Sequence, residues 1–224
     1  VNHIKNVLRM KKGEHVLLSD GLEREYECEL CTFFEDSIEA KILDVFGSCA
    51  ELKTKITLFQ GLPKSDKMEW IIQKAVELGV YEVVPVATKR AVVKLDAKKA
   101  RKKVERWNTI ALSAAKQAKR GQVPEVKPVM TLKEAYAYAK NFDASIIPYE
   151  DAKGIAHSRE IMQNLIGKGQ IGIFIGPEGG FEESEIKEAL ELGIEPVTLG
   201  KRILRTETAG MAVLSILMFQ MEEE

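Results

Sequence analysis

Between Ile171 and Thr208 the sequence twice runs from apolar residues into a loop that carries glycine and charge. The first run, Ile171-Gly172-Ile173-Phe174-Ile175, ends in Gly176-Pro177-Glu178-Gly179-Gly180-Phe181. The second leads into Leu199-Gly200-Lys201-Arg202-Ile203-Leu204-Arg205-Thr206-Glu207-Thr208. Gly176, Gly179, Gly180 and Gly200 lack a Cβ, so backbone at these points can approach a ligand closely. Ile175, Leu199, Ile203 and Leu204 offer apolar walls beside them, and Thr206 a hydroxyl. Glu178, Arg205 and Glu207 add charge, although Arg205 and Glu207 by themselves would also make an ordinary ion pair at a helix start. Ordinary turn chemistry would use the same glycines, but two such loops in succession make a ligand site the leading expectation.

The elements that position these loops follow from patterning. Short apolar runs bounded by glycine read as strands covered on both faces, and open α/β sheets place ligands beyond the carboxyl ends of such strands. From Thr54-Lys55-Ile56-Thr57-Leu58-Phe59 onward, strands alternate with helices, which predicts a mostly parallel sheet. Asp66 and Glu69 have the spacing of a capping box, with Met68, Ile71, Ile72, Ala75 and Val76 as the apolar stripe and Gly79 at the C-cap. Val83-Val84-Pro85-Val86 reads as a strand whose proline suits an end or an edge. Residues 97–120 form a long helix with Val104, Trp107, Ala111, Ala114 and Ala118 toward the core. Its start is crowded with lysine and arginine, and Lys116, Lys119 and Arg120 stand at its end. Ala144-Ser145-Ile146-Ile147-Pro148-Tyr149-Glu150 supplies a strand and a third wall for the site. Gly167-Lys168-Gly169-Gln170-Ile171-Gly172 fits the dinucleotide glycine string but precedes a strand instead of opening a helix, so it is rejected. The final helix, from about Thr206 to Met221, has an apolar belt wider than one core face needs, which fits a homodimer.

Residues 14–58 have a different character. Short alternating segments, with Asp20-Gly21 between two of them, predict a small antiparallel sheet or barrel. In residues 1–12, Ile4, Val7 and Leu8 share a helical face and leave Lys5, Arg9 and Lys12 on another, either as a solvated side or as phosphate contacts. The 224 residues carry a formal net charge of −1, so affinity for nucleic acid must come from local basic patches. No run approaches membrane-spanning length, and no signal-peptide pattern is present. Three cysteines, Cys28, Cys31 and Cys49, fit a reducing cytoplasm better than a disulfide framework. Cys28-x-x-Cys31 is half of a zinc spacing with no second half, so no metal site is expected.

The two glycine loops, in this order and separation, resemble those of the RsmE family, ribosomal RNA uridine N3-methyltransferases of the SPOUT superfamily. The likeness extends to His3-x-x-x-Val7-Leu8-Arg9, to Lys74-Ala75-x-Glu77-Leu78-Gly79 and to Ala114-Ala115-x-Gln117-x-x-Arg120-x-x-x-Pro124. It implies an α/β fold with a C-terminal trefoil knot at 54–224, preceded at 1–53 by a PUA-like β-barrel RNA-binding domain whose leading strand lies upstream of Val1. It also implies S-adenosylmethionine as methyl donor, held by Ile175, Gly176, Gly179, Gly180, Leu199, Gly200, Ile203, Leu204 and Thr206. The substrate would be a uridine of 16S ribosomal RNA in the small subunit, and the enzyme a cytoplasmic homodimer. On this likeness Arg205 stabilises the uracil anion, Glu178 or Glu207 orients it or accepts the proton, and Arg9, Lys5, Lys12, Lys116 and Arg120 contact RNA. Two departures stand out: Lys116 replaces a frequent glutamate, and Glu182 a Ser or Thr. A non-catalytic ribosome-assembly factor, or a SPOUT enzyme acting on another RNA nucleotide, are the competing readings.

Overall fold

Strands without polar alternation need helices on both faces, and the computed structural model, which describes residues 1–21, 24–47, 50–150 and 152–222, supplies them. The chain separates into two compact units. The larger, Leu52–Ala118 with Pro124–Glu224, is built on a parallel sheet. Its strands are β4 (Lys55–Gly61), β5 (Glu82–Ala87), β6 (Glu125–Val126), β7 (Met130–Thr131), β8 (Ala144–Pro148), β9 (Gln170–Ile175) and β10 (Glu195–Val197), numbered after three strands of the smaller unit. They lie in the order β10-β8-β9-β4-β5-β6, with β7 also pairing β5. The helices are α1 (Lys67–Glu77), α2 (Ala97–Gln117), α3 (Leu132–Ala139), α4 (Ile155–Asn164), α5 (Glu183–Glu191) and α6 (Thr206–Met221).

Neighbouring residues of each central strand feed different cores. Leu58, Val83, Ile146 and Ile173 pack with α1, α2, α4 and α6, whereas Phe59, Val84, Ile147 and Phe174 pack with α3 and α5. This two-residue alternation puts helices on both sides of the sheet. Phe59 and Phe174 stack across β4 and β9 with ring centroids 4.2 Å apart. Pro85 lies in an interior strand, and the register explains how. The Val83 carbonyl accepts from Lys127 N–H, so the Pro85 nitrogen points to that same side of β5. There β6 pairs only Glu82 and Val83 and β7 only Val86 and Ala87, so the missing N–H falls in a gap in the ladder.

The expected stripe of α1 is buried, and Gly79 closes the helix at φ +81°. The Asp66–Glu69 capping box does not form: Asp66 makes no side-chain cap bond, and Glu69 instead pairs with Arg106 at 2.7 Å. A bidentate guanidinium partner from α2 outcompetes a local backbone N–H. In α2, Trp107, Ala111 and Ala114 face the core, and Asp96 caps the helix through Lys99 N–H.

The smaller unit, Val1–Glu51 with Lys119–Val123, holds β1 (His15–Ser19), β2 (Arg24–Phe33) and β3 (Ile38–Gly47) in one antiparallel sheet. Among the described residues this sheet is three-stranded and is not seen to close into a barrel. Cys28 is buried on β2, Cys31 is half-buried, and Cys49 lies outside the described residues. A short π-helical turn, His3–Val7, opens the unit and buries none of its residues, so its apolar face is not core. The segment Lys119–Val123 belongs to this unit through specific bonds. Ser19 Oγ donates to the Gly121 carbonyl at 2.9 Å, and the Glu51 carboxylate accepts from Arg120 and from Gln122 N–H.

The Phe59–Phe174 stack should dominate the stability of the larger unit. Phe174→Ala should cost about 3–5 kcal/mol in urea unfolding, because a rigid sandwich of two covered faces collapses little around the cavity. A loss near that of an exposed site would show that the faces repack.

Candidate active site

The loops that follow β8, β9 and β10 surround one cavity of about 820 Å³, lined by residues 148–150, 175–181 and 198–206 together with Lys67, Arg90 and Ala209. The apolar runs end where the sheet ends, so the chain emerges at the carboxyl edge. After Ile175 it turns sharply: Gly180 adopts φ +66° and donates to the Pro177 carbonyl at 2.9 Å. A Cβ on Gly176 would lie 3.1 Å from Gly180 Cα, so the loop folds onto itself too closely for a side chain there. Gly200 sits at φ +111° with open space where a Cβ would point. All nine residues expected to hold a cofactor line this cavity. Ile203 is 91% exposed, so it forms an open lip and not a closed wall.

A buried polar relay fixes the loops. Gln60, at the end of β4, donates from Nε2 to Thr206 Oγ1 at 2.8 Å, and Thr206 Oγ1 donates to the Gly176 carbonyl at 2.6 Å. The Thr206 hydroxyl thus joins the β9 loop to the start of α6, and its one hydrogen is used within the protein. Glu185, also buried, plays a similar part on the other side. Its carboxylate accepts from Lys89 N–H at 2.9 Å and from Glu182 N–H at 2.8 Å. Glu182 therefore begins α5 without needing a Ser or Thr hydroxyl.

The charged groups do not arrange themselves as the sequence suggests. Lys67, in the first turn of α1, reaches Glu178 at 3.2 Å and Glu207 at 3.3 Å. Glu178 also accepts from Lys64 N–H at 3.1 Å. Burial pushes the Glu178 pKa up, but its own backbone N–H, that of Lys64 and the Lys67 ammonium outweigh this and hold it below the ordinary 4.5. The Glu178 hydrogen bond, partly opposed by desolvation and reinforced by Glu207, raises Lys67 above 10.5. Arg205 is exposed, and neither carboxylate pairs with it: among the described residues its side chain makes no hydrogen bond or ion pair. Arg90 donates to the Gly179 carbonyl at 3.1 Å. Sequence reasoning missed Gln60, Lys67 and Arg90. Gln60 alone left a signal, as a polar residue closing an otherwise apolar strand.

None of the residues expected to contact RNA is among those lining this cavity, and they differ in availability. Arg9 is exposed and adopts φ +54°, a left-handed conformation that costs a non-glycine residue energy. Lys12 and Lys116 are exposed, and Lys5 donates to the Phe34 carbonyl at 2.6 Å. Arg120 needs correction. Its side chain is 4% exposed and its guanidinium is bonded to Glu51, so it ties the smaller unit together and is not a surface cation.

Residues 50–218 match the family described as the RNA methyltransferase domain, and residues 1–31 the RNA methyltransferase PUA domain. The chain is 38% identical over 225 residues to the ribosomal RNA small subunit methyltransferase E of Bacillus subtilis (strain 168), covering 99% of this chain and 88% of that one. With the protein of the same name from Mesomycoplasma hyopneumoniae (strain 232) it shares 36% identity, covering 96% and 89%. Among solved structures, the ribosomal RNA small subunit methyltransferase E from Neisseria gonorrhoeae bound to S-adenosyl methionine is similar at a TM-score of 0.82. That match has 34% identity and covers 97% of this chain and 88% of that one.

The Glu178 tie has a defined pH window. A carboxylate whose pKa is lowered on folding contributes stability above its ordinary 4.5 and loses it as the pH falls through the lowered value. Lys67, raised on folding, contributes below 10.5 and loses it as the pH rises further. The difference in urea midpoint between wild type and Glu178→Gln should therefore be present at neutral pH and shrink by about pH 3. A difference that does not change with pH would mean that the charge on Glu178 does not matter to the fold.

Proposed function

The chain belongs to the RNA methyltransferase family, among the ribosomal RNA small subunit methyltransferases E, and from this premise we propose that it methylates N3 of a uridine in 16S ribosomal RNA. The observation that carries this is the cavity itself, where loops after three neighbouring strands meet around glycines. At about 820 Å³ it falls within the range of small-molecule sites, and its apolar and backbone lining suits an adenine ring with polar edges. S-adenosylmethionine, held by residues 175–180 and 199–206, would supply an electrophilic methyl group on a sulfonium. The glycines fit it because they bring backbone N–H and C=O groups to the cavity surface without a Cβ in between.

The remaining chemistry falls to side chains. Removing the uracil N3 proton creates an anion, and Arg205, exposed at the start of α6, is the group that stabilises it. Glu178, held below the usual carboxylate range, is a weak proton acceptor and serves to hold the loop. Glu207 is then the carboxylate that orients the base or takes the proton. N3 lies on the Watson–Crick edge, so the target uridine must be unpaired or flipped out. Arg9, with Lys5, Lys12 and Lys116, would hold flanking phosphates, and the PUA-like small unit would help to dock the RNA. Exposed Ile216 and Phe219 on α6, the latter 84% exposed, support a homodimer. A trefoil knot around the two loops and a cytoplasmic location complete the proposal. Among the described residues no helix is long and apolar enough to cross a membrane.

Calorimetric titration should give binding of S-adenosylmethionine in the micromolar range, lost in Gly200→Val because a β-branched residue cannot adopt φ +111°. No binding to the intact protein would leave only an RNA-binding role. Arg205→Ala should lower methyl transfer to 16S RNA by about 100-fold or more while cofactor affinity is kept. Unchanged turnover would remove Arg205 from the mechanism.

A further inference from the structure

Lys67 is one cation shared between two carboxylates that come from different segments of the chain. Glu178 belongs to the turn after β9, and Glu207 to the first turn of α6. Glu178 has other donors, Lys64 N–H and its own backbone. For Glu207, Lys67 is the only hydrogen-bond or ion-pair partner among the described residues. The Glu207 side chain is only 18% exposed, so an unpaired charge there would seek another cation. The closest in sequence is Arg205, two positions earlier at the N-cap. Its backbone is extended there (φ −66°, ψ 156°), so the divergence of i and i+2 side chains within a helix does not hold it away.

We infer that Lys67 is a positioning residue: by occupying Glu207, and with it Glu178, it keeps the Arg205 guanidinium unpaired and available to the substrate anion. The inference rests on the proposed reaction for its catalytic meaning, but its physical content concerns only this chain. Arginine stays charged at all working pH values, so what controls its use is competition between carboxylates and substrate. An ammonium placed on both carboxylates removes that competition.

The test has one arm that needs neither cofactor nor RNA. With ¹⁵N-arginine labelling, the Arg205 Nε–Hε proton of the wild-type protein should exchange rapidly with water. In Lys67→Met it should be protected by a new pair with Glu207, and in Lys67→Met/Glu207→Gln it should exchange rapidly again. In the second arm, Lys67→Met should lower kcat about tenfold, with S-adenosylmethionine affinity within about twofold, and Lys67→Arg should restore most of the loss. Restored rapid exchange in the double variant, which simple damage to the fold would not produce, would identify Glu207 as the partner that captures Arg205. Urea midpoints of the variants confirm that each is folded. Rapid Arg205 exchange in folded Lys67→Met, or protection that persists in the folded double variant, would overturn the inference. Failure of the wild type to transfer methyl would count against the proposed reaction, and the exchange arm would still decide the role of Lys67.

Discussion

The hydroxyl of Thr206 is the point on which the site depends. It receives a hydrogen from Gln60 at the end of a central strand and gives its own to the Gly176 carbonyl. Three segments distant in sequence, β4, the β9 loop and α6, are thereby fixed at one buried oxygen. Removing it would take a partner from the Gly176 carbonyl and leave the Gln60 amide only its bond to the Gly61 carbonyl, and a buried polar group left unpaired costs roughly 1–3 kcal/mol. Its two neighbours in sequence are Arg205 and Glu207. The relay therefore sets where the charges of α6 stand as well as the shape of the glycine loop.

Several cations in this chain are taken up by carboxylates. Arg106 is paired with Glu69, Arg120 with Glu51, Lys89 with Glu182, and Lys127 with Glu82 and Glu125. These pairs tie separate segments of the chain together. A polyanion would meet exposed groups such as Arg9, Lys116 and Arg205, and the exposed Lys98, Arg101 and Lys102 at the start of α2. Attraction of a polyanion to such exposed cations is strongly weakened by salt.

What could be read from the sequence was what depends on near neighbours. Apolar runs gave the buried strands, the Met68-to-Val76 stripe gave α1, and glycine after an apolar run gave the loops of the cavity. Errors arose where a distant partner competed with a local one. Glu69 fits a capping box by spacing, yet Arg106, 37 residues later, takes its carboxylate. Arg120 reads as part of a basic helix end, yet Glu51, 69 residues earlier, draws it inside. Lys67 left no local signal at all, because its partners lie more than a hundred residues away. The presence of the cavity loops is therefore legible locally, whereas the relay that fixes them and the electrostatics of the cavity are not.

The small unit is assembled from two stretches of chain, Val1–Glu51 and Lys119–Val123, with β4, α1, β5 and α2 in between. During synthesis, Glu51 leaves the ribosome long before the arginine that neutralises it. The amino-terminal sheet must therefore wait, with an unmatched acidic group, until α2 has been made. Order of emergence and order of completion are reversed for this part of the molecule, and closing such a long loop is slow. It also follows that no single cut separates the two units: a fragment ending at Glu51 lacks its last segment, and one beginning at Leu52 carries that segment away.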